Sequence, residues 1–97
     1  MMEQLDPLLH SQLRLAIISL LVKHERLDFS YLKKQTGSTA GNLSVQIKKL
    51  DDAGYINIKK RFKNNYPQTS CTLTEKGLIA FENYVNAINA YLNPDTE

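Results

Sequence analysis

Two groups of side chains in this sequence have the chemistry to bind a polyanion. The first combines hydroxyl and amide donors with two lysines and lies within residues 38–49. The second is the basic run Lys60, Arg61 and Lys63, which is followed by Asn64 and Asn65. Hydroxyl, amide and ammonium groups donate hydrogen bonds to phosphate oxygens and to base edges. These residue types predict nucleic-acid recognition and not bond-making chemistry.

The positive charge of the chain is concentrated in its middle. The 97 residues carry a formal net charge of only +2. Residues 29–73 contain eight Lys and Arg against two Asp, a net +6, whereas the remaining residues contain four basic and eight acidic side chains. A basic segment within a nearly neutral chain is typical of a surface that faces phosphate.

Enzymes, metal proteins and membrane proteins are each disfavoured by what the sequence lacks. There is no nucleophile–base pair, glycine-rich phosphate loop or metal-ligand spacing, so we expect no catalytic site, no metal and no cofactor. The single cysteine, Cys71, cannot form an intramolecular disulfide, and its position beside Leu73 predicts core packing and not a redox role. The apolar-rich stretch 13–22 is too short for a bilayer span, and the N-terminus lacks the basic start of a signal peptide. We therefore expect a cytoplasmic protein.

Two helices are predicted in the first third of the chain. Apolar residues at helical spacing place the first from about residue 8 to residue 23, with Ser11 capping its main body. The second covers about residues 29–35, with Asp28 as its N-cap. Gly37 ends it, because glycine adopts the left-handed conformation at little cost.

A third helix follows almost at once. Ser38 or Thr39 caps it, and it continues to about residue 53, before Gly54. Two helices separated by so short a turn predict a helix-turn-helix.

The apolar period then changes from helical to alternating. Residues 56–59 and 70–73 are predicted to form two strands of a hairpin. The polar segment 60–68, which contains two asparagines and Pro67, predicts a long connecting tip. Thr74 caps a final helix over about residues 75–92.

This order predicts a mainly α protein with a small β-hairpin wing, that is, a winged helix-turn-helix with a long C-terminal dimerisation helix. We expect residues 1–97 to form a single DNA-binding domain. Within it, the helix-turn-helix occupies about 28–53, the wing about 55–73 and the last helix about 75–92.

One face of the third helix is suited to enter a DNA groove. Leu43, Ile47 and Leu50 share the opposite face, which points into the core. The outer face is small and polar near its start and basic further along, a shape that fits a major groove about 12 Å wide. With the wing included, the candidate DNA-binding residues are Ser38, Thr39, Gly41, Asn42, Ser44, Val45, Lys48, Lys49, Lys60, Arg61, Lys63, Asn64 and Asn65.

A simpler interpretation of these residues stays open. Lysines on a helix face are often only solvated, and lysines on a hairpin protect an exposed edge from aggregation. The helix-turn-helix spacing, the basic centre and the basic wing together favour double-stranded DNA as the partner.

The final helix has more apolar surface than one small domain needs. Five apolar residues follow alternating spacings of three and four, which is an a/d seam, and a second stripe runs beside it. We therefore expect a homodimer built on this helix, with two recognition helices meeting a pseudo-palindromic site. The candidate dimerisation residues are Leu78, Phe81, Tyr84, Val85, Ile88, Tyr91 and Leu92.

The sequence from Leu5 to Leu92 resembles the small winged-helix transcriptional regulators related to the MarR and ArsR families. The segments that carry the resemblance are LDPLLHSQLRLAIISLL, GNLSVQIKKLDDAGYI and TLTEKG. The resemblance implies a compact prokaryotic, homodimeric and sequence-specific DNA-binding regulator, usually a repressor. It assigns the recognition-helix role to residues 38–49 and the wing role to residues 60–68.

The sequence departs from the MarR pattern in its wing. MarR wings usually carry an Asp and an Arg two positions apart, where this chain has Asn65 and Pro67. Arg61 or Lys63 is the candidate substitute for that arginine. The chain is also shorter than a typical MarR protein, so the existence and identity of a small-molecule effector stay open.

A protein-interaction module is the alternative function. In that case the basic face would meet an acidic partner protein, and the chain would not bind duplex DNA even at low salt.

Overall fold

The computed structural model describes residues 2–94, and its helices and strands follow the winged-helix order with one additional strand. The elements are α1 (Gln12–Lys23), β1 (Arg26–Asp28), α2 (Phe29–Thr36), α3 (Ala40–Asp52), β2 (Ile56–Lys63), β3 (Tyr66–Leu73) and α4 (Glu75–Leu92). The strands form one antiparallel sheet in the order β1-β3-β2. The expected fold class, a winged helix-turn-helix with a long C-terminal helix, is confirmed.

The first helix begins four residues later than its apolar period predicts. Ser11 is its N-cap, and Ser11 Oγ accepts a hydrogen bond from the backbone N–H of Arg14 at 3.5 Å. Before Ser11 the chain turns, because the N–H groups of Leu9 and His10 both donate to the carbonyl oxygen of Asp6. The apolar residues of this turn still pack inward, since Leu9 is fully buried. Apolar residues therefore keep helical spacing in the turn that precedes α1, although this turn is not part of the helix.

α1 is the central helix of the core. It contacts α2, α3, β3 and α4. The fully buried side chains come from α1, α2, α3, β2 and β3 and include Ile17, Ile18, Leu32, Leu43, Leu50, Ile56 and Cys71. Burial, and to a smaller extent the charge of Asp51, raises the pKa of the Cys71 thiol to about 11. The expectation of core packing for Cys71 is confirmed.

β1 was not predicted, and it makes the wing part of a three-stranded sheet. Leu27 lies opposite Cys71 in the sheet register and belongs to the hydrophobic core. Asp28 directly precedes α2, but its side chain makes no capping hydrogen bond. Its Oδ2 atom accepts from Gln68 Nε2 at 2.9 Å instead, which joins β1 to β3. A strand of three residues is too short to show alternation, so the sequence contained no signal for it.

The prediction of a long hairpin tip was wrong. β2 and β3 stay paired up to Lys63 and Tyr66, and only Asn64 and Asn65 lie between them. Both asparagines have positive φ, 53° and 65°, as a two-residue type I′ hairpin turn requires. Pro67 is compatible with this strand because β1 pairs with β3 only over residues 70–72 and leaves the outer edge at Pro67 unpaired.

Thr74 ties the start of α4 to the base of the wing. Its hydroxyl caps the helix by accepting from the N–H of Gly77 at 3.0 Å. The same hydroxyl donates to the carbonyl oxygen of Gly54 at 2.6 Å, and the N–H of Thr74 donates to that of Tyr55 at 3.1 Å. The Thr74 and Gly77 of the TLTEKG segment therefore have structural roles. Across residues 2–94, every helix is too short or too polar to cross a membrane.

Candidate nucleic-acid interface

The turn between α2 and α3 is held by local hydrogen bonds. Gly37 ends α2 with φ of 70°, and its N–H donates to the carbonyl oxygen of Lys33 at 3.0 Å. The hydroxyl oxygens of Thr36 and Ser38 lie 3.0 Å apart and form a hydrogen bond across the turn. Thr39 caps α3, because its Oγ1 accepts from the N–H of Asn42 at 3.1 Å. These bonds fix the direction in which α3 leaves the body of the domain.

The outer face of α3 is exposed as the sequence predicted. Leu43, Ile47 and Leu50 are buried beneath it. Val45 has 51% of its surface exposed, although it is apolar. The other exposed candidates of this helix and its cap are Thr39, Gly41, Asn42, Ser44, Lys48 and Lys49, whereas Ser38 is half-buried. The fold thus brings these candidates to one surface, and their role in binding stays a prediction.

Lys48 forms an ion pair on this surface. Its Nζ donates to Asp52 Oδ1 one helical turn further along. The hydrogen bond and the charge of Asp52 raise the pKa of Lys48, so the lysine stays cationic. Both side chains are well exposed, so water and salt screen the pair and it adds little to stability. Lys48 can therefore exchange Asp52 for a phosphate at little cost.

A cleft of about 380 Å³ separates α3 from the wing. It is lined by Phe29, Ser44, Ile47, Lys48, Ile58, Lys60 and Thr69. Its floor is apolar, and Lys48 and Lys60 stand on its two sides. The cleft is therefore bordered by positive charge from both α3 and the wing.

The basic residues of the wing are divided between its two faces. Side chains alternate along a strand, so Phe62 shares the face of Lys60, the face that borders α3. Arg61 and Lys63 lie on the opposite face. The structure does not bring these three cations together, contrary to what their adjacency in the sequence suggests. Asn64 and Asn65 form the exposed apex.

Phe62 is the residue of this surface that the sequence interpretation missed. It pairs with Pro67 near the apex and has 78% of its surface exposed. The segment 53–74 contains four basic residues and no acidic residue, so this exposed aromatic ring lies in a wholly cationic hairpin. Continuing the alternation of Ile56 and Ile58 through Lys60 would have placed Phe62 on the same face. Because residues 60–68 were expected to form an irregular tip, this alternation was not continued as far as Phe62.

α4 has two apolar stripes. The one that contains Tyr84 and Ala87 faces the domain, and the one that contains Leu78, Val85 and Leu92 is largely exposed. Gly77, Tyr84 and Ala87 are buried against the domain, and Tyr84 Oη lies 3.0 Å from His10 Nδ1. Tyr84 therefore belongs to the intramolecular contact, and its assignment to a dimer surface needs correction. The seam residues Leu78, Val85 and Leu92 are exposed, and Phe81 and Ile88 are half-buried. Tyr91 is exposed at the end of the other stripe.

Within residues 2–94, no three His, Cys, Asp or Glu side chains come together as a metal site.

This chain matches a known protein family over most of its length. A family model described as a winged helix DNA-binding domain matches residues 13–92. An uncharacterized protein of Methanocaldococcus jannaschii is 37% identical over 79 residues, which are 81% of this chain and 86% of that protein.

Solved structures agree in fold with this chain. A transcriptional regulator homologue from Pyrococcus horikoshii OT3 has a TM-score of 0.84 and 24% identity, covering 92% of this chain and 89% of that one. The transcriptional regulator BldR of Sulfolobus solfataricus has a TM-score of 0.71 and 18% identity, covering 90% and 63% of the respective chains. The family model confirms the winged-helix part of the resemblance found in the sequence, and the solved structures agree with it in fold.

Proposed function

Since the chain belongs to the winged helix DNA-binding domain family, we propose that it is a homodimeric repressor that binds a pseudo-palindromic operator. Family and fold are those of DNA-binding transcriptional regulators. Sequence specificity, repression and the dimer are the parts proposed here. Repression follows where the operator overlaps a promoter, because a bound dimer excludes other proteins from the same DNA.

The position of the exposed α3 face next to the wing carries this proposal. Asn42 and Ser44 offer hydrogen-bonding groups to base edges, and Val45 offers an apolar contact for a thymine methyl group. Lys48 and Lys49 lie further along the helix, where they would meet the phosphate backbone. α3 is thus the element that would enter the major groove.

The wing would extend the contact to the neighbouring minor groove. Lys60 faces α3 across the cleft and would contact the phosphates between the two grooves. Phe62, on the same face but closer to the apex, would pack against the sugars and base edges of the minor groove, where apolar side chains are often inserted. Arg61 and Lys63 would contribute charge from the other face.

The exposed stripe of α4 supports a dimer. The exposed apolar surface of Val85 and Leu92 is removed from water only if another chain covers it. Leu92 has 71% of its surface exposed. A two-fold axis through this stripe would present two copies of α3 to half-sites about 34 Å apart.

Selection of bound sequences from a pool of random duplex DNA tests the proposal. We expect a pseudo-palindromic motif, and a promoter carrying that motif should be silenced in a purified transcription reaction when the protein is added. A failure to retain any duplex at about 50 mM salt, where phosphate contacts are strong, would favour the protein-interaction alternative.

The salt dependence of affinity tests the surface. If the dimer neutralises about ten phosphates, the logarithm of the binding constant should fall with a slope near −9 against the logarithm of salt concentration. Lys48→Ala with Lys60→Ala should make this slope less steep by about 4 in a dimer, one for each lost contact. Lys23→Ala, at an exposed lysine of α1, is the single-charge control and should leave the slope unchanged. An unchanged slope in the double variant would refute the interface.

A further inference from the structure

We propose that Arg14 and Gln46 are positioning residues that decide which hydrogen-bonding group Asn42 presents to a base. The proposal rests on the proposed role of α3 as the helix that reads DNA. It assigns part of the base specificity to two half-buried residues beneath the contact surface.

Three hydrogen bonds connect the start of α1 to the exposed face of α3. Arg14 Nε donates to the carbonyl oxygen of Leu8 at 2.6 Å, which holds the guanidinium in place. Arg14 Nη1 donates to Gln46 Oε1 at 2.5 Å. Gln46 Nε2 then donates to Asn42 Oδ1 at 3.1 Å, one helical turn away.

The chemistry of arginine gives this chain of bonds a single direction. A guanidinium has five N–H donors and no acceptor. Gln46 must therefore turn its carbonyl oxygen toward Arg14, which leaves its NH₂ group facing Asn42. Asn42 must turn its own oxygen toward that NH₂ group. The part of the Asn42 amide that points away from Gln46 is therefore its NH₂ group, a donor.

This direction determines which bases Asn42 recognises. An asparagine with a free oxygen and a free NH₂ group forms the two-bond contact with adenine N6 and N7. Here the oxygen points toward Gln46 and the NH₂ group points outward, so Asn42 is oriented to donate to acceptors on the base edge and not to form that two-bond contact. Guanine presents two neighbouring acceptors, O6 and N7, in the major groove. We therefore expect guanine at the base contacted by Asn42.

The isosteric change Gln46→Glu tests the direction without altering the contact surface. A carboxylate accepts from Arg14 and also from Asn42, so Asn42 must now turn its NH₂ group inward and its oxygen outward. The exposed oxygen accepts from cytosine N4 or adenine N6. In selection from random duplexes, the guanine at one position of each half-site should change to cytosine or adenine, with a preference of about tenfold.

Two variants serve as controls. Asn42→Ala identifies the position, because base preference should be lost there and kept elsewhere. Lys49→Gln changes the charge of the α3 surface by the same amount as Gln46→Glu, and it should weaken binding to all sequences without changing the preferred base. Circular dichroism spectra of all variants should match that of the unmodified protein.

The possible failures are distinct. If the unmodified protein retains no duplex, both the proposed function and this inference fail. If it selects a motif but Gln46→Glu selects the same base at the Asn42 position, only the directional role of Arg14 and Gln46 is refuted. If Asn42→Ala leaves every position unchanged, Asn42 does not contact a base and the inference also fails.

Discussion

The backbone of α4 at Gly77 lies directly against the carbonyl group of Tyr55, the residue that precedes β2. A Cβ atom built on Gly77 would be 2.2 Å from Tyr55 O and 2.9 Å from Leu73 Cδ1. Both distances are shorter than side-chain carbons tolerate. Only glycine permits this approach, and it holds α4 and the base of the wing in a fixed relation.

Gly77→Ala should therefore destabilise the protein strongly. The added methyl group meets backbone that cannot turn away, so α4 must shift from Tyr55. We expect the free energy of unfolding to fall by about 3 kcal/mol, the upper range for overpacking. Urea unfolding followed by circular dichroism measures this change.

Gly41→Ala is the matched control for that experiment. Apart from its chain neighbours and the backbone of its own helix, no heavy atom of residues 2–94 lies within 4 Å of a Cβ at Gly41, on the exposed first turn of α3. Alanine favours a helix over glycine, so we expect stability to stay equal or to rise by about 0.5 kcal/mol. Wild-type stability in Gly77→Ala would show that the close approach is not present.

The hydroxyl of Tyr55 predicts a loss of stability at high pH. It donates to Asp6 Oδ2 at 2.5 Å. Burial, followed by the hydrogen bond and the charge of Asp6, raises the pKa of Tyr55 to about 12. An unfolded tyrosine has a pKa of about 10, so the unfolded chain ionises first. The stabilisation from Tyr55 is complete below about pH 10 and is lost as the pH rises toward 12.

Tyr55→Phe should remove this part of the pH dependence. We expect the variant to be about 1–2 kcal/mol less stable at pH 7, because the bond to Asp6 is missing. Between pH 10 and 12 its stability should fall less steeply than that of the unmodified protein, as measured by urea unfolding at each pH. Tyr31→Phe, at an exposed tyrosine of α2, should keep the original steepness. If Tyr55→Phe keeps it as well, the loss of stability at high pH has an origin other than Tyr55.

Val85→Asp should convert the proposed dimer to monomers. Val85 is exposed in the single chain, so the substitution leaves the core unaffected. A carboxylate in an apolar interface between two copies would lose its hydration and repel its symmetry mate. Sedimentation should give the mass of one chain, and affinity for a two-half-site duplex should decrease. Asn86→Asp, a neighbouring change of the same charge on the polar side, should sediment as the unmodified protein does; equal masses for all three would argue against this dimer surface.

Phe62→Ala should weaken DNA binding without affecting the fold. The ring is mostly exposed, so thermal unfolding should be unchanged. Loss of its contact in the minor groove should lower duplex affinity about tenfold, which corresponds to 1.4 kcal/mol. The salt slope should stay the same because no charge is removed. Phe62→Leu should restore most of the affinity, and undiminished binding by the alanine variant would remove Phe62 from the interface.

The local parts of this structure were predictable from neighbouring residues. Caps at Ser11, Thr39 and Thr74 and the left-handed glycine Gly37 all act within one helical turn, so their sequence patterns identify helix ends directly. The helix-turn-helix and the exposed face of α3 follow from the same local spacing.

Contacts between distant segments were not predictable in this way. β1 forms only by pairing with β3, more than 40 residues away, and the wing strands continue into a segment rich in turn-forming residues. Which stripe of α4 packs inward was equally open, because both stripes are apolar. In the structure Tyr84 is buried beside His10, and this leaves Val85 exposed.

By itself, the sequence determined that this chain forms helices at these places, turns between the second and third of them, and has a basic centre with the residue types to bind DNA. These properties depend on backbone preferences and charges that act over a few residues. Only the tertiary structure decided which side chains share a surface. It turned the face of Lys60 toward α3, set Gly77 against Tyr55, and joined Arg14 to Gln46. Those contacts link residues far apart in the chain, and they form only when the core brings their backbones together.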